Sequence, residues 1–330
     1  MRPGAEVSAS FECFGSTCAA FVSGSGRGGS AREATAMITR ELQAWHLSFS
    51  RFLAGSELSR LNGDRRELVP VSPMMARFAG AVVTAGSLTG GLVDATLVDQ
   101  IERAGYVRDL RDGLALEQAL RLAPPRRAAA PARSPGWRQL DVDLARSTVR
   151  RPPTIRLDSG GIAKGLFADA LAESLAGHAS FAINCAGDIA IGGAEGRART
   201  VRVESPFDGR ILHTFKLRRG GVATSGIGRR SWLDAEGRPA HHLLDPSTGE
   251  PAFTGIVQVT ALGPTALMAE TQAKAALLSG PRRAARWLAH GGVIVLDDGS
   301  HGVVDPPGEV ALGQLSAFRK APPTHALQHA

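Results

Sequence analysis

The sequence is poor in lysine and in tyrosine. Among 330 residues there are one tyrosine and 34 arginines, but only four lysines: Lys164, Lys216, Lys274 and Lys320. The net charge of +7 would suit a nucleic-acid partner. However, the arginines are scattered and no stripe alternates basic with aromatic residues, so we predict no nucleic-acid binding. Because lysine is scarce here, the position of each lysine is informative.

Cysteines and long apolar runs are also scarce. The three cysteines (Cys13, Cys18 and Cys185) are odd in number and lack zinc-type spacing, so we expect small reduced residues in a cytosolic setting. No run of about 18 apolar residues occurs, which predicts no integral membrane segment. The first ten residues contain neither an apolar signal region nor a lipobox, so we expect a cytoplasmic location.

What is present is a globular composition, with 43% hydrophobic and 21% charged residues. Strand and helix patterns alternate without a strict βαβ rhythm, which favours an α+β fold of mixed sheets with packed helices. We predict one domain over 1–320, a mobile Pro/Ala/Arg-rich loop at 123–136, and a disordered tail at 321–330. Predicted helices include 31–46, 56–63, 73–88 and 264–278.

The densest candidate motif is Leu-Asp-Ser-Gly-Gly-Ile-Ala-Lys-Gly at 157–165. Gly160 and Gly161 precede a predicted helix, whose free N–H groups and dipole suit phosphate oxygens. Lys164 adds a point charge. The motif does not match the Walker pattern, so we exclude a P-loop of that kind. The simpler alternative is a glycine turn with a solvated lysine.

Two further segments carry polar groups after strands. His242 lies in His-His-Leu-Leu-Asp-Pro-Ser-Thr-Gly at 241–249, and its imidazole is a candidate general base. Thr224 and Ser225 in Val-Ala-Thr-Ser-Gly at 222–226 offer two hydroxyls to a ligand. Both segments are also compatible with ordinary turns.

Glu270 and Lys274 stand four residues apart on the last predicted helix and share a face. An exposed pair of this kind contributes about 0.3 kcal/mol. Their neighbours are small and apolar, however, and lysine is scarce, so the sequence favours a buried pair.

Taken together and in order, these segments resemble the FAD:protein FMN transferase (ApbE) family. The matching blocks are Phe14–Thr17, Ser50–Phe52 with Ser56–Asn62, Val93–Thr96, Leu157–Gly165, Asn184–Asp188 (where Ala186 replaces a family glycine), Thr224–Gly226 and His242–Gly249.

The resemblance implies a tandem T-fold-like architecture and Mg²⁺-dependent transfer of FMN from FAD to a Thr or Ser hydroxyl of a target flavoprotein, with release of AMP. It implies catalytic roles for His242 and Lys164. It also implies FAD contacts at ten positions: Ser50, Leu92, Val93, Asp94, Gly160, Gly161, Lys164, Thr224, Ser225 and Leu244. Lys274 is a third candidate catalytic residue, because of the departure from the family pattern described next.

The sequence departs from the family at the metal site. The family's ligands are a backbone carbonyl, an Asp and a Thr, and these positions correspond to Ala163, Glu270 and Lys274. A lysine ammonium would repel a neighbouring cation. Either Lys274 replaces Mg²⁺ in meeting the FAD diphosphate, which we favour, or it turns away and leaves a weakened metal site. The same departure leaves two alternatives to transfer: a FAD-binding carrier or pseudoenzyme, and a hydrolase of the FAD pyrophosphate.

Overall fold

A computed structural model describes residues 5–27, 29–108 and 113–306. Within these ranges the chain forms strands β1 to β17 and helices α1 to α7. The strands are β1 Val7–Cys13, β2 Ser16–Ser23, β3 Ser25–Gly26, β4 Gly29–Ser30, β5 Leu68–Pro70, β6 Asp141–Asp143, β7 Thr148–Arg150, β8 Ser180–Cys185, β9 Asp188–Gly192, β10 Arg199–Glu204, β11 Ile211–Leu217, β12 Gly220–Gly226, β13 Ser231–Leu233, β14 Pro239–His241, β15 Ile256–Gly263, β16 Gly292–Leu296 and β17 His301–Val304. The helices are α1 Ala31–Phe49, α2 Glu57–Gly63, α3 Pro73–Leu88, α4 Val98–Arg103, α5 Leu116–Arg121, α6 Ala163–Ser174 and α7 Ala266–Ser279, with short 3₁₀ turns at Gly136–Gln139, Ser159–Gly161 and Ala284–Trp287.

One large sheet organises the fold. Its eight strands run in the order β1-β2-β8-β9-β12-β15-β16-β17, and every pairing is antiparallel. Helix α1 packs on β1 and β2, α6 on β8 and β9, and α7 on β12 and β15. Antiparallel strands with helices segregated against them confirm the predicted α+β class.

The predicted helices form where their capping residues stand. Ser30 and Glu33 make a reciprocal capping box at the start of α1, and Ser72 accepts from the Met75 amide ahead of Pro73 in α3. The described α1 continues to Phe49, three residues beyond the predicted end at 46. This extension matters because Phe49 reaches the site described below.

Helices α6 and α7 approach each other closely where α6 carries a glycine. A Cβ added to Gly165 would come within 2.7 Å of the Ala266 backbone, so only glycine permits this contact. The Asp169 carboxylate of α6 accepts the Ala266 amide at 2.8 Å and the Leu267 amide at 2.9 Å. Two free amides at the start of α7 are thereby satisfied, and the relative position of the two helices is fixed.

The Pro/Ala/Arg-rich segment 123–136 lies along the fold with specific contacts. The Arg127 amide donates to the Phe253 carbonyl at 2.9 Å, and the Ala129 amide donates to the Leu278 carbonyl at 2.9 Å. The Asp245 carboxylate accepts from the Arg127 guanidinium at 2.8 Å and from the Ala130 amide at 3.1 Å. The predicted tail at 321–330 lies outside the described residues. Among the helices of the described ranges, none combines the length and the apolarity needed to cross a bilayer.

Candidate functional site

A cavity of about 290 Å³ opens where the β1–β2 turn, the C-terminal end of α1 and the N-terminal end of α6 meet. Segments 92–97, 158–161 and 242–246, together with Lys274 of α7, complete its wall. The lining therefore unites five of the segments that sequence reasoning singled out, although they lie far apart along the chain.

Lys164, Asp188, Glu270 and Lys274 form a buried charge network at one end of this cavity. The Lys164 Nζ lies 2.6 Å from an Asp188 oxygen and 3.9 Å from Glu270 Oε1. The same Glu270 oxygen lies 3.0 Å from the Lys274 Nζ, and Glu270 Oε2 accepts the Gly165 amide at 2.9 Å. Glu270 thus holds both lysines and the first turn of α6 in one arrangement. The surface-pair alternative is wrong, because the Glu270 side chain is 1% exposed and the Lys274 side chain is 9% exposed.

The charges in this network shift one another's pKa values. Burial favours the protonated form of Glu270, but the neighbouring charges of Lys274 and Lys164 outweigh burial and lower its pKa. Burial opposes the Lys164 ammonium, yet the charges of Asp188 and Glu270 raise the Lys164 pKa. Burial, reinforced by the Glu270 charge, raises the pKa of Asp188 to about 7. Lys164 therefore faces the cavity as a cation at neutral pH.

His242 stands on the cavity wall one residue beyond β14. Burial lowers its pKa well below the usual range, helped by the charges of Arg230, His241 and Lys274. Its Nδ1 is buried and has no hydrogen-bond partner within the described residues. The imidazole is consequently neutral at pH 7 and has a ring nitrogen free to exchange a proton.

Part of the cavity wall is aromatic. Arg51 holds this wall together: its Nη2 donates to the Tyr106 carbonyl at 2.6 Å, and its guanidinium lies 4.4 Å from the Phe52 ring centroid and 4.8 Å from the Tyr106 centroid. The Trp232 ring stacks on Tyr106 at 5.1 Å. The ring of Phe14, which also lines the cavity, packs against His46 and Phe167. These flat apolar surfaces suit the ring system of a ligand.

The Ser-Glu-Leu-Ser-Arg-Leu-Asn block at 56–62 supports the site without lining it. Ser56 caps α2, and the Asn62 amide group clamps Leu157 from both sides. The Asn62 Nδ2 donates to the Leu157 carbonyl at 2.8 Å, and the Leu157 amide donates to Asn62 Oδ1 at 2.8 Å. This clamp positions the residue from which the glycine turn starts.

Most of the predicted site residues gather at the cavity. The lining includes Ser50, Leu92, Val93, Asp94, Gly160, Gly161, Ala163, Lys164, His242, Leu244 and Lys274. Glu270 lies behind the wall, beneath the two lysines that it pairs.

The two predicted hydroxyls do not reach the lining. Thr224 and Ser225 lie within β12, where the Thr224 Oγ1 is 2.8 Å from Thr260 Oγ1 of the neighbouring strand. The Ser225 side chain is buried, and its Oγ has no partner within the described residues.

Sequence reasoning missed the aromatic wall, Asp188 as the partner of Lys164, and Arg230. Aromatic residues distributed over distant segments give no local pattern, so only the fold collects them. Asp188 did stand in a noted block, at 184–188, and the scarcity of lysine could have prompted a search for the carboxylate that neutralises Lys164.

The donor set does not suit a divalent metal ion. One Glu270 oxygen is taken by Lys274 and the other by the Gly165 amide, and Lys274 lines the same cavity as Ala163. Among residues 5–27, 29–108 and 113–306, no group of three His, Cys, Asp or Glu side chains could hold a metal. Magnesium prefers several oxygen ligands in octahedral geometry, and this site offers an ammonium instead.

Comparison with known proteins identifies the family of the chain. The family model described as "ApbE family" matches residues 14–296. The "FAD:protein FMN transferase" of Salmonella typhimurium is 26% identical over 275 residues, covering 80% of this chain and 76% of the relative. That of Rhodobacter capsulatus is 27% identical over 315 residues, covering 90% of this chain but 57% of the relative.

Solved structures show the same fold. The ApbE protein of Thermotoga maritima superimposes with a TM-score of 0.72 at 24% identity, covering 90% of this chain and 96% of that one. The flavinyl transferase ApbE of Pseudomonas stutzeri gives 0.69 at 20% identity, covering 90% and 92%. The predicted resemblance is confirmed, and this chain belongs to the ApbE family.

Proposed function

We propose that this protein is a flavin transferase that binds FAD and transfers its FMN half to a Thr or Ser hydroxyl of a target flavoprotein, releasing AMP. The observation that carries the proposal is the joining of one neutral imidazole, His242, and two buried ammonium groups, Lys164 and Lys274, in a single cavity with aromatic walls. Relatives that are named FAD:protein FMN transferase support it.

In the proposed reaction the target hydroxyl oxygen attacks the phosphorus of the FMN half. A new P–O bond forms, the bond to the AMP phosphate breaks, and the hydroxyl proton passes to His242. His242 is unprotonated in the free protein because burial and neighbouring cations lower its pKa. The negative charge of a bound diphosphate would raise that pKa again, which brings the base closer to neutrality when substrate is present.

The two lysines and the start of α6 supply the groups that hold the diphosphate. Lys164 projects from the first turn of α6, whose cap residue Ile162 makes no side-chain cap bond. The remaining amide donors and the positive end of the helix dipole therefore attract phosphate oxygens, as does the Lys164 charge. The aromatic wall around Phe52 and Tyr106 would accept a flat ring and exclude water from the reacting end.

We further propose that the Lys274 ammonium does the work of a divalent cation in this chain. It stands at the wall with its charge only partly balanced, because Glu270 shares one oxygen between Lys274 and Lys164. Charge stabilisation by a fixed ammonium requires no bound metal. Transfer is therefore expected to proceed in the presence of a chelator.

Incubation of the protein with FAD and an acceptor domain that presents a free Thr hydroxyl tests the proposal. Intact-mass analysis should show a gain of one FMN unit on the acceptor, and AMP should appear in equal amount. His242→Ala should bind FAD and lose transfer. Bound FAD without an adduct would instead support a flavin carrier, and release of free FMN with AMP would support pyrophosphate hydrolysis. Neither alternative is favoured, because a carrier has no need of a free imidazole and the relatives are named as transferases.

A further inference from the structure

One cation of the cavity, Arg230, has no carboxylate partner among the residues that the structure describes. Lys164 and Lys274 pair with Asp188 and Glu270, and Arg51 lies 3.4 Å from an Asp158 oxygen. Arg230 also lines the cavity, yet within the described ranges no Asp or Glu oxygen lies within ion-pair distance of it. A positive charge that faces a ligand cavity without an internal counter-charge is available to an anionic ligand.

The backbone places Arg230 beside the proposed base. Strands β13 and β14 pair Ser231 with His241, so the next pair outward in the antiparallel ladder is Arg230 with His242. Side chains of directly opposed residues lie on the same face of a hairpin. Both side chains also line the cavity, which confirms that they face the same space.

Within the part of the chain that the structure describes, the Arg230 guanidinium makes one hydrogen bond. Arg230 Nη2 donates to the Phe14 carbonyl at 3.0 Å. Phe14 itself is fixed in the β1–β2 turn with a positive φ of 55°, and its amide donates to His46 Nδ1 at 3.3 Å. An arginine carries five N–H donors, so this anchor orients the group and leaves the others for a ligand.

We propose that Arg230 is a further catalytic residue of the transfer: its unoccupied N–H groups contact the oxygens of the phosphoryl group that the target hydroxyl attacks beside His242. The inference rests on the proposed function and adds a residue to it. Arginine is suited to this position because its planar fork meets two phosphate oxygens at once, which the lysines cannot do. The charge that accumulates on those oxygens during transfer is stabilised by a donor already oriented for it.

Arg230 has a second effect, on His242. The groups whose charges face the imidazole are Arg230, His241 and Lys274, and after burial the Arg230 charge is the largest of the causes that lower the His242 pKa. Removing this charge would raise the pKa, so His242 would keep its proton to higher pH. The base must be unprotonated to act, and the acidic limb of the transfer rate would therefore move to higher pH.

Four variants of the full chain test the inference with FAD and the acceptor domain. Arg230→Met is expected to lower the rate of FMN transfer by about 100-fold or more, the usual cost of removing one transition-state donor, and to move the acidic limb upward. Arg230→Lys is expected to keep the acidic limb in place but to lose most of the rate. Arg230→Ala is expected to recover rate when guanidinium ion is added. Arg229→Met is the matched control, because Arg229 is exposed and contacts only Ser16 Oγ at 3.5 Å within the described residues.

FAD affinity and thermal melting of each variant separate this role from a purely structural tie to Phe14. If Arg230→Met fails to fold, the rate of the Arg230→Lys variant and the guanidinium rescue of Arg230→Ala decide whether the inference holds. A Lys variant with the full rate, or a Met variant with the rate and pH profile of the Arg229 control, would overturn the inference while leaving the proposed function intact. Absence of transfer by the unaltered protein would overturn both.

Discussion

If the Lys274 ammonium replaces a divalent cation as proposed, replacing Lys274 with threonine should make the site respond to magnesium. The substitution removes the ammonium that lies 3.0 Å from Glu270 Oε1 and leaves a short side chain with a hydroxyl oxygen. Removing one member of a buried ion pair costs about 3–5 kcal/mol in the free energy of unfolding. Glu270 keeps the Gly165 amide and the more distant Lys164, so we expect a loss near the lower end of that range.

The freed Glu270 oxygen, the new hydroxyl and the Ala163 carbonyl would then offer oxygen ligands that Mg²⁺ accepts. A metal that binds only the folded state stabilises it by about 2.7 kcal/mol at 100 times its dissociation constant. Saturating Mg²⁺ should therefore return most of the stability that Lys274→Thr loses. The same titration should leave the unaltered protein unchanged, because its ammonium occupies the place of the cation.

Urea unfolding with and without Mg²⁺, followed by FMN transfer under the same conditions, measures both effects. Lys216→Thr is the matched control, since Lys216 is exposed on β11 and the chemical change is identical. The reasoning fails if Mg²⁺ leaves the stability of the Lys274 variant unaltered. It also fails if Mg²⁺ strongly raises transfer by the unaltered protein and saturates at low concentration.

Three further outcomes are expected. Gly165→Ala should lower the free energy of unfolding by about 1–3 kcal/mol because the added Cβ would lie 2.7 Å from the Ala266 backbone. Gly63→Ala is the control, since a Cβ there has nothing within 4 Å. Equal urea midpoints for the two variants would contradict the close contact between the helices. Amides in 127–130 that donate to ordered acceptors should exchange slowly in deuterium exchange, and exchange at the rate of an unfolded chain would support the predicted mobile loop instead. Because the Asp188 pKa is raised to about 7, the folded state keeps a proton that the unfolded state releases near pH 3.8. The contribution of Asp188 to the free energy of unfolding is therefore full below pH 3.8 and is lost as the pH rises through about 7. Asp188→Asn should flatten the stability curve over that pH interval, and an unchanged slope would refute the assignment.

The sequence predicted those parts of the fold that depend on local chemistry. Ser30, Ser56 and Ser72 cap helices because a serine oxygen accepts amides that no helical carbonyl can reach, and this signal needs no tertiary information. The order of the large sheet was not predictable in this way. Strands β2 and β8 are neighbours in the sheet although about half of the described chain separates them. Nothing in the residue pattern of either strand specifies the other as its partner.

In the candidate site, too, the residues of one local motif were predicted and the effects of strand pairing were not. One short motif contains Gly160, Gly161 and Lys164, and its chemistry can be inferred from the residues alone. The structure places all three residues at the cavity. Thr224 and Ser225 formed a motif of equal local quality, but the register of β12 against β15 turns the Thr224 hydroxyl toward Thr260. A one-residue shift in register would reverse both side chains. Local sequence cannot determine that choice.

The positions of the lysines show how the residue composition relates to the arrangement of the site. In a chain with four lysines and 34 arginines, two of the four stand in one cavity, and both share a single oxygen of one carboxylate. Arginine, which is abundant, serves where a planar fork is useful: Arg51 spans two aromatic rings, and Arg230 reaches from the Phe14 carbonyl toward His242. The Lys274 ammonium is a compact point charge held 3.0 Å from Glu270 Oε1, whereas a guanidinium is a larger planar group. Because lysine is scarce, the two lysines at this cavity indicate where the chain requires a point charge. On this reasoning, Lys274→Arg should disturb the ion pair with Glu270. The disturbance should be greater than that caused by Lys274→Thr when Mg²⁺ is present.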